Sequence, residues 1–277
     1  MTRILNPTLV DGIYCYSREK ADDYADYPDS GFDITEENAV KSFWVSSRNR
    51  LFLFLVQRAL RKSKGDRFLE IGCGTGDFLS RVVAKKNLDV TGSEIYRKGL
   101  RYAKAKMPGI TFVQYDVSEG VLDQKFDVIA AFDVLEHVER DQEAIGNIYE
   151  MLSENGRFVV SVPQYMFLWS NLDAIVKHKR RYSRREMTGK LRASGFEIER
   201  ATSFVFTLFP LMVLSRLVDR ESAAQVQDDQ ALQKRVMFSS VSNSLFDAVM
   251  RIDEFLIRIG LSLPFGGRLV VVARKPA

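Results

Sequence analysis

The sequence predicts an α/β fold built on a doubly wound, mainly parallel sheet, and three observations carry that expectation. Apolar, β-branched-rich runs recur: VIAAF at 128–132, FVVSV at 158–162 and LVVVA at 269–273. Strands buried on both faces read this way. Segments with apolar residues at helical spacing separate the runs, and a strand–helix alternation of this kind implies a parallel sheet with helices on both faces. The third observation is a glycine turn, FLEIGCGTGDF at 68–78, which joins the first strand to its helix.

The elements follow in order. Residues 11–40 are acidic and aromatic, with Tyr14, Tyr16, Tyr24 and Tyr27; disordered tails are poor in aromatics, so an ordered arm is expected. Residues 41–62 carry apolar side chains at helical spacing and a basic end, which predicts a helix. DRFLEIG is then a strand and DFLSRVVAKK a helix; LDVTGSE is a strand and YRKGLRYAKAK a helix closed by Pro108–Gly109. ITFVQYD and KFDVIAAFDV are strands, RDQEAIGNIYEMLS is a helix ended by Asn155–Gly156, and GRFVVSVP is a strand. SRREMTGKLRASG is a helix with Ser183 as N-cap, Glu186 three residues on and Gly195 as C-cap. FEIERATSF and GRLVVVARK are the last two strands, and roughly 206–266 lies between them. A bare loop of that length is uncommon in a compact domain. Its end, SLFDAVMRIDEFLIRIG, is amphipathic at helical spacing, so a helical cap is expected. The division is an N-terminal arm and helix over 1–62, a main domain over 63–204 and 267–277, and a helical insertion over 205–266.

Composition narrows the function classes. The chain has 277 residues, 46% hydrophobic and 27% charged, with a formal charge of +4. This is an ordinary globular composition, and too weakly basic to argue for nucleic acid. Cys15 and Cys73 lie far apart and give neither a disulfide framework nor a metal spacing, so a reducing cytoplasm and no metal are expected. MTRILNPTLVDG has no charged head followed by an apolar core, and no signal peptide is expected. The longest nearly apolar run, 204–214, is about half of a membrane span. Burial under the cap is its expected role, with peripheral docking on a bilayer as the alternative.

In open α/β sheets ligands bind at the carboxyl ends of the strands. The glycines of the turn are spaced G-x-G-x-G, not G-x-G-x-x-G, and Asp77 stands where the third glycine of a dinucleotide fold would be. Glu70 precedes the turn, Glu94 ends the second strand, Asp116 the third and Asp133 the fourth, with Glu136 and His137 beyond. The turn itself holds no lysine or arginine. A pyrophosphate would be repelled there, whereas a nucleoside bearing a positive charge would not.

These residues resemble a class I S-adenosylmethionine-dependent methyltransferase. The motifs E-x-G-x-G-x-G at 70–76, the second-strand acid, YDV at 115–117 and FDVLEHV at 132–138 stand in the expected order over residues 66 to about 200, and LPFGGRLVVVARK fits the family's ending. The resemblance implies a Rossmann-like seven-stranded sheet with an antiparallel last strand. It implies that Glu70, Gly72, Cys73, Gly74 and Gly76 surround the methionine part of S-adenosylmethionine. Glu94 would hold the ribose, Ile95 would pack on the adenosine, Asp116 and Val117 would flank the adenine, and Phe132 and Asp133 would line the floor. A subgroup carries an aromatic–arginine stretch before the fold, here FWVSSRNR, and an HxRRY loop after the fifth strand, here HKRRY at 178–182. That resemblance implies that Trp44 and Arg48 or Arg50 close over the cofactor.

HKRRY, with Tyr165, Trp169 and Asp173 upstream, suits an anionic acceptor; Tyr165, Trp169, Arg180, Arg181 and Tyr182 are the expected acceptor contacts. His137 and His178 are the expected catalytic residues, since imidazole titrates near neutrality. The expected protein is a cytoplasmic or membrane-peripheral monomer or homodimer that methylates a small or lipid-linked acceptor on oxygen or nitrogen. The rival readings are another transferase on the same fold, such as an aminopropyl transferase, whose polyamine would want acids where HKRRY stands, and a module that only binds the cofactor. A nucleic-acid methyltransferase would carry an (N/D)PPY-like element after the fourth strand, and FDVLEH lacks it.

Overall fold

The computed structural model of the chain describes all residues except 1–2, 24–26, 29–30, 34–35, 37–41, 85–87 and 222–238. Tyr24 and most of the polar middle of the insertion lie outside the described residues.

Nine strands among the described residues form one sheet in the order β1-β2-β5-β4-β3-β6-β7-β9-β8. They are β1 (Thr8–Val10), β2 (Ile13–Cys15), β3 (Arg67–Ile71), β4 (Asp89–Glu94), β5 (Thr111–Gln114), β6 (Phe126–Phe132), β7 (Leu152–Pro163), β8 (Glu197–Phe204) and β9 (Arg268–Arg274). Strands β2 to β7 pair in parallel. β9 runs antiparallel between β7 and β8, so the seven strands implied by the resemblance are present in an α/β fold. The arm adds two more, because β1 and β2 form a hairpin whose second strand extends the sheet beside β5. Gln114 fixes that junction: its buried amide accepts from the Ser17 N–H at 3.0 Å and donates to Ser17 O at 2.8 Å.

Alternate residues of each strand serve opposite faces, as the pleat requires. Val128, Ala130 and Phe132 of β6 join one apolar cluster, with helices α1 (Phe43–Lys62), α2 (Asp77–Val83) and α3 (Arg97–Lys106). Ile129 and Ala131 join the other, with α4 (Asp141–Met151) and α6 (Arg184–Ala193). Between β7 and α6 the chain makes the short α5 (Asn171–Ile175), closed by a reciprocal Ser170–Asp173 capping box. Ser183 caps α6 by accepting from the Glu186 N–H at 3.1 Å.

The insertion contributes α7 (Phe209–Glu221) and α8 (Ser240–Arg258). The long apolar run is divided: Phe204 and Val205 are buried, while Leu211 and Leu214 are half exposed. No helix among the described residues is long and apolar enough to cross a membrane. Two polar anchors hold α8. Buried Asp253 accepts from the N–H groups of Phe206, at 2.6 Å, and Thr207, at 3.1 Å. Arg50 on α1 grips Glu254 in a fork at 2.7–3.0 Å and Asp247 at 2.7 Å. Arg50 is thereby committed to holding the insertion, whereas Arg48, two residues earlier and on the other side of the helix, pairs with Asp133.

Replacing Arg50 leaves the nearly buried Glu254 without its charged donor. We expect Arg50→Ala to cost about 2 kcal/mol of stability, read as a lower melting temperature with earlier proteolysis within α8. Unchanged melting and proteolysis would show that α8 docks through apolar contacts alone.

Candidate functional site

The order of the sheet reverses between β3 and β6, and a crevice at the carboxyl ends of the strands is expected at such a reversal. A cavity of about 870 Å³ lies there.

The glycine turn forms one wall. Gly72 has φ of +71° and a Cβ on it would overlap the Val134 side chain, so only glycine fits. Gly74 has nothing within 4 Å on its Cβ side, which leaves that flank of the turn open. Glu70 lies behind the turn and lines the cavity. Its Oε2 is buried without a hydrogen-bond partner among the described residues, and burial pushes its carboxyl up to about 8 against the pull of Arg48. Glu94 at the end of β4 receives the N–H of Gly74 on Oε2 at 3.0 Å and that of Ile95 on Oε1 at 2.8 Å. Burial raises its pKa in spite of those donors. Asp116 after β5 accepts from the Ser118 N–H at 2.8 Å and hydroxyl at 2.7 Å, and its other oxygen pairs with Lys20 from the arm. Burial opposes its ionisation, but these partners hold it below the ordinary carboxylate value. Ile95, Val117 and Cys73 also line this half, and Cys73 is a buried free thiol. Gly76, at φ +80°, is the N-cap of α2.

Phe132 and Asp133 form the floor. The Phe132 ring stacks on Phe52 with centroids 4.0 Å apart. Asp133 has φ of +60° and accepts from Arg48 at 3.0 Å, from the Ser161 hydroxyl at 3.2 Å and from Arg268. Burial pushes its pKa up, but chiefly the charges of Arg268 and Arg48 outweigh that and hold it below the usual range. Arg268 also lies 5.2 Å from the ring centre of Trp44, which lines the cavity. Sequence reasoning missed Arg268. Its signal was present: an antiparallel last strand begins where the parallel strands end, so the residue after Gly266–Gly267 arrives at the site.

Across from the acids the HKRRY loop divides. His178, Lys179 and Arg181 line the cavity. Asp173 accepts from Arg181 in a fork at 2.8 and 2.9 Å and holds His178 Nδ1 at 2.8 Å. Although burial opposes ionisation of Asp173, the hydrogen bonds from His178 and Arg181 and the charge of Arg181 hold its carboxyl well below the usual range. His137 lines the cavity with its ring centre 4.8 Å from that of His178 and nearly perpendicular to it. Four expected acceptor residues are not brought to the cavity. Arg180 pairs with Asp141 at 3.3 Å and Glu139 at 3.5 Å. Tyr182 is fully buried, its hydroxyl donating to Leu135 O at 3.0 Å and Asp141 at 2.8 Å. Tyr165 stacks on Phe167 with centroids 5.3 Å apart, against Phe209. Trp169, half-buried, follows the same turn. The insertion supplies residues in their place: Leu208, Leu211, Met212, Ser215 and Arg216 from α7 and its entry, and Phe246 from α8.

A family model described as a methyltransferase domain matches residues 44–201. A probable S-adenosylmethionine-dependent methyltransferase of Mycolicibacterium smegmatis is 25% identical over 169 residues, 60% of this chain and 62% of that protein. A mitochondrial ubiquinone biosynthesis O-methyltransferase of Schizosaccharomyces pombe is 29% identical over 117 residues, 40% of this chain and 42% of that protein. The chain thus spans less than two-thirds of the length of these relatives. In fold it is similar to the magnesium protoporphyrin IX methyltransferase of Synechocystis with bound S-adenosylhomocysteine, at a TM-score of 0.56 and 16% identity, over 94% of this chain and 100% of that one.

The acid half of the cavity fits the family's cofactor. The oxygen of Glu70 is buried without a partner among the described residues, Gly74 leaves an open flank, and the glycine turn itself contains no lysine or arginine. The chain belongs to the methyltransferase-domain family, with the fold and the cofactor, S-adenosylmethionine, of its class I S-adenosylmethionine-dependent members.

Proposed function

We propose that this protein methylates an oxygen of a small or lipid-linked, anionic acceptor, in the cytoplasm or at a membrane surface. The observation that carries the reading is the division of one cavity into two halves of opposite character. Glu70, Glu94 and Asp116, the last paired with Lys20, line one half; the other holds Arg181, Lys179, Arg216 and Arg268, with Asp133, Glu139 and Asp173 among them, and the apolar side chains of Leu208, Leu211, Met212 and Phe246. In the first half, Glu70 and residues 72–76 would hold the methionine part, Glu94 the ribose, and Asp116 with Val117 the adenine, where Lys20 must yield or share its partner. Ile95 and Phe132 would pack on the nucleoside, with Trp44 and Arg48 closing beside them. Bound there, the cofactor supplies an electrophilic methyl group.

The second half would take an anion with an apolar tail. The basic side chains meet the charge, and the half-exposed Leu211 at the cavity wall offers an apolar way in for a lipid-linked substrate. His137 and His178 stand where the reacting group would lie, and Asp173 fixes the orientation of His178. A hydroxyl must lose a proton on transfer, so a pair of oriented imidazoles favours oxygen as the methylated atom. Holding the acceptor in line with the methyl would supply much of the rate.

Purified protein with labelled cofactor should label one fraction among separated lipids and soluble metabolites, and that fraction should be acidic. Cofactor binding without label in any fraction would favour a binding module. Because Glu70 must ionise to meet a cation and its carboxyl is pushed up to about 8, S-adenosylhomocysteine should bind more tightly as pH rises from about 6.5 to about 8. Glu70→Gln should weaken binding and flatten that slope; an unchanged slope would remove Glu70 from the site. His178→Gln should lower kcat by about 10²-fold or more with cofactor affinity unchanged, and a kcat within about twofold would exclude the imidazole from the chemistry.

A further inference from the structure

Beneath the two imidazoles lies Glu136, fully buried on the segment after β6. Neither of its carboxylate oxygens accepts a hydrogen bond among the described residues. A buried carboxylate left in this state is costly. Arg268 comes within 3.6 Å of Oε1, and His178 Nε2 within 3.8 Å of it, both too far for a hydrogen bond. One donor atom from each of Glu136, His137 and His178 lies within 4.8 Å of the others. Ligands about 2.0–2.2 Å from one tetrahedral ion stand about 3.3–3.6 Å apart, so side-chain rotations of roughly an ångström would bring these three donors onto a shared ion. The residue behind the cluster matters as much. Asp173 takes Nδ1 of His178 at 2.8 Å and leaves Nε2 turned toward Glu136, the carboxylate–histidine arrangement that orients metal-ligating imidazoles.

We propose that Glu136, His137 and His178 form a binding site for a divalent transition-metal ion. Two imidazoles and one carboxylate suit an ion of the Zn²⁺, Fe²⁺ or Mn²⁺ class more than Mg²⁺ or Ca²⁺, which prefer oxygen donors. Three protein ligands leave positions open, and the imidazoles line the cavity, so those positions face the acceptor. Charge supports an anionic acceptor there. Asp133, Glu136 and Asp173 already face Arg48, Arg181 and Arg268, three acids against three guanidiniums, and an oxygen anion from the acceptor would offset part of the ion's charge. With the imidazoles bound to it, the ion takes over the part of a histidine base: it would hold that oxygen and make its proton easier to release to solvent. This role rests on the methyl-transfer reading, whereas the site itself does not.

The test uses the full-length protein stripped with chelator, without cofactor or acceptor, and titrates Zn²⁺ alone by calorimetry and Mn²⁺ alone by electron paramagnetic resonance. The site predicts one equivalent of metal per chain. His137→Gln and Glu136→Gln should each weaken binding by roughly tenfold or more, and Asp173→Asn by roughly 10–100-fold through loss of imidazole orientation. Melting curves identify any variant that fails to fold, and the half-buried position of His137 makes its variant the safest of the three. No stoichiometric binding, or binding that His137→Gln leaves unchanged, overturns the site. Methyl transfer that survives chelation together with absent binding would remove the metal and leave the methyltransferase reading standing.

Discussion

The cavity depends on how Asp133 is held. A lone carboxylate at this depth would take up a proton. Here one oxygen meets Arg48 on α1 and the other meets Arg268 at the start of β9 and the Ser161 hydroxyl of β7. Four segments far apart in sequence are joined at one acid in a left-handed conformation. The Arg48 and Arg268 guanidiniums that favour its ionised form also line the cavity, as do Lys179, Arg181 and Arg216. Without that knot, Trp44 and Arg268 would lose their mutual support, and the helix that covers the glycine turn would lose its tie to the floor.

The two ends ask for different ligands. Three buried carboxylates, one of them with an unpaired oxygen at Glu70, favour a positively charged nucleoside over a phosphorylated one. The opposite end sets arginines paired with Asp133 and Asp173 beside apolar side chains, which suits an amphipathic acid better than a polyamine. The insertion makes this second end: α7 and the residue before it place Leu208, Leu211, Met212 and Ser215 at i, i+3, i+4 and i+7, the spacing of a single helical stripe. α8 keeps it in place through Asp253 and the Arg50 fork. Acceptor choice is therefore written in a segment separate from the cofactor frame.

Much of this was legible in the sequence, for reasons that differ by element. Buried parallel strands declare themselves as β-branched runs, so β3, β4, β6 and β7 were readable, as were the acids at their ends. The hairpin β1–β2 was not. Three-residue strands carry too little periodicity, and their pairing depends on Gln114, nearly a hundred residues away. The arginines were the least readable. Arg48, Arg50, Arg180 and Arg181 are alike as letters, yet they serve a pair with Asp133, a helix clamp, a pair with buried Asp141 and a buried fork. Tyr182 looked like a binding residue because it sits in a basic loop, and it packs inward because its hydroxyl finds Leu135 and Asp141. Burial and partner choice are tertiary facts that spacing alone does not encode.

The central claim is that the mouth of this sheet accepts a sulfonium-bearing nucleoside and rejects a pyrophosphate. Calorimetry of the purified protein against S-adenosylmethionine and NAD, in the same buffer, tests it most directly. The account predicts stoichiometric heat with S-adenosylmethionine and none with NAD. Saturable binding of NAD, with no response to S-adenosylmethionine, would contradict it.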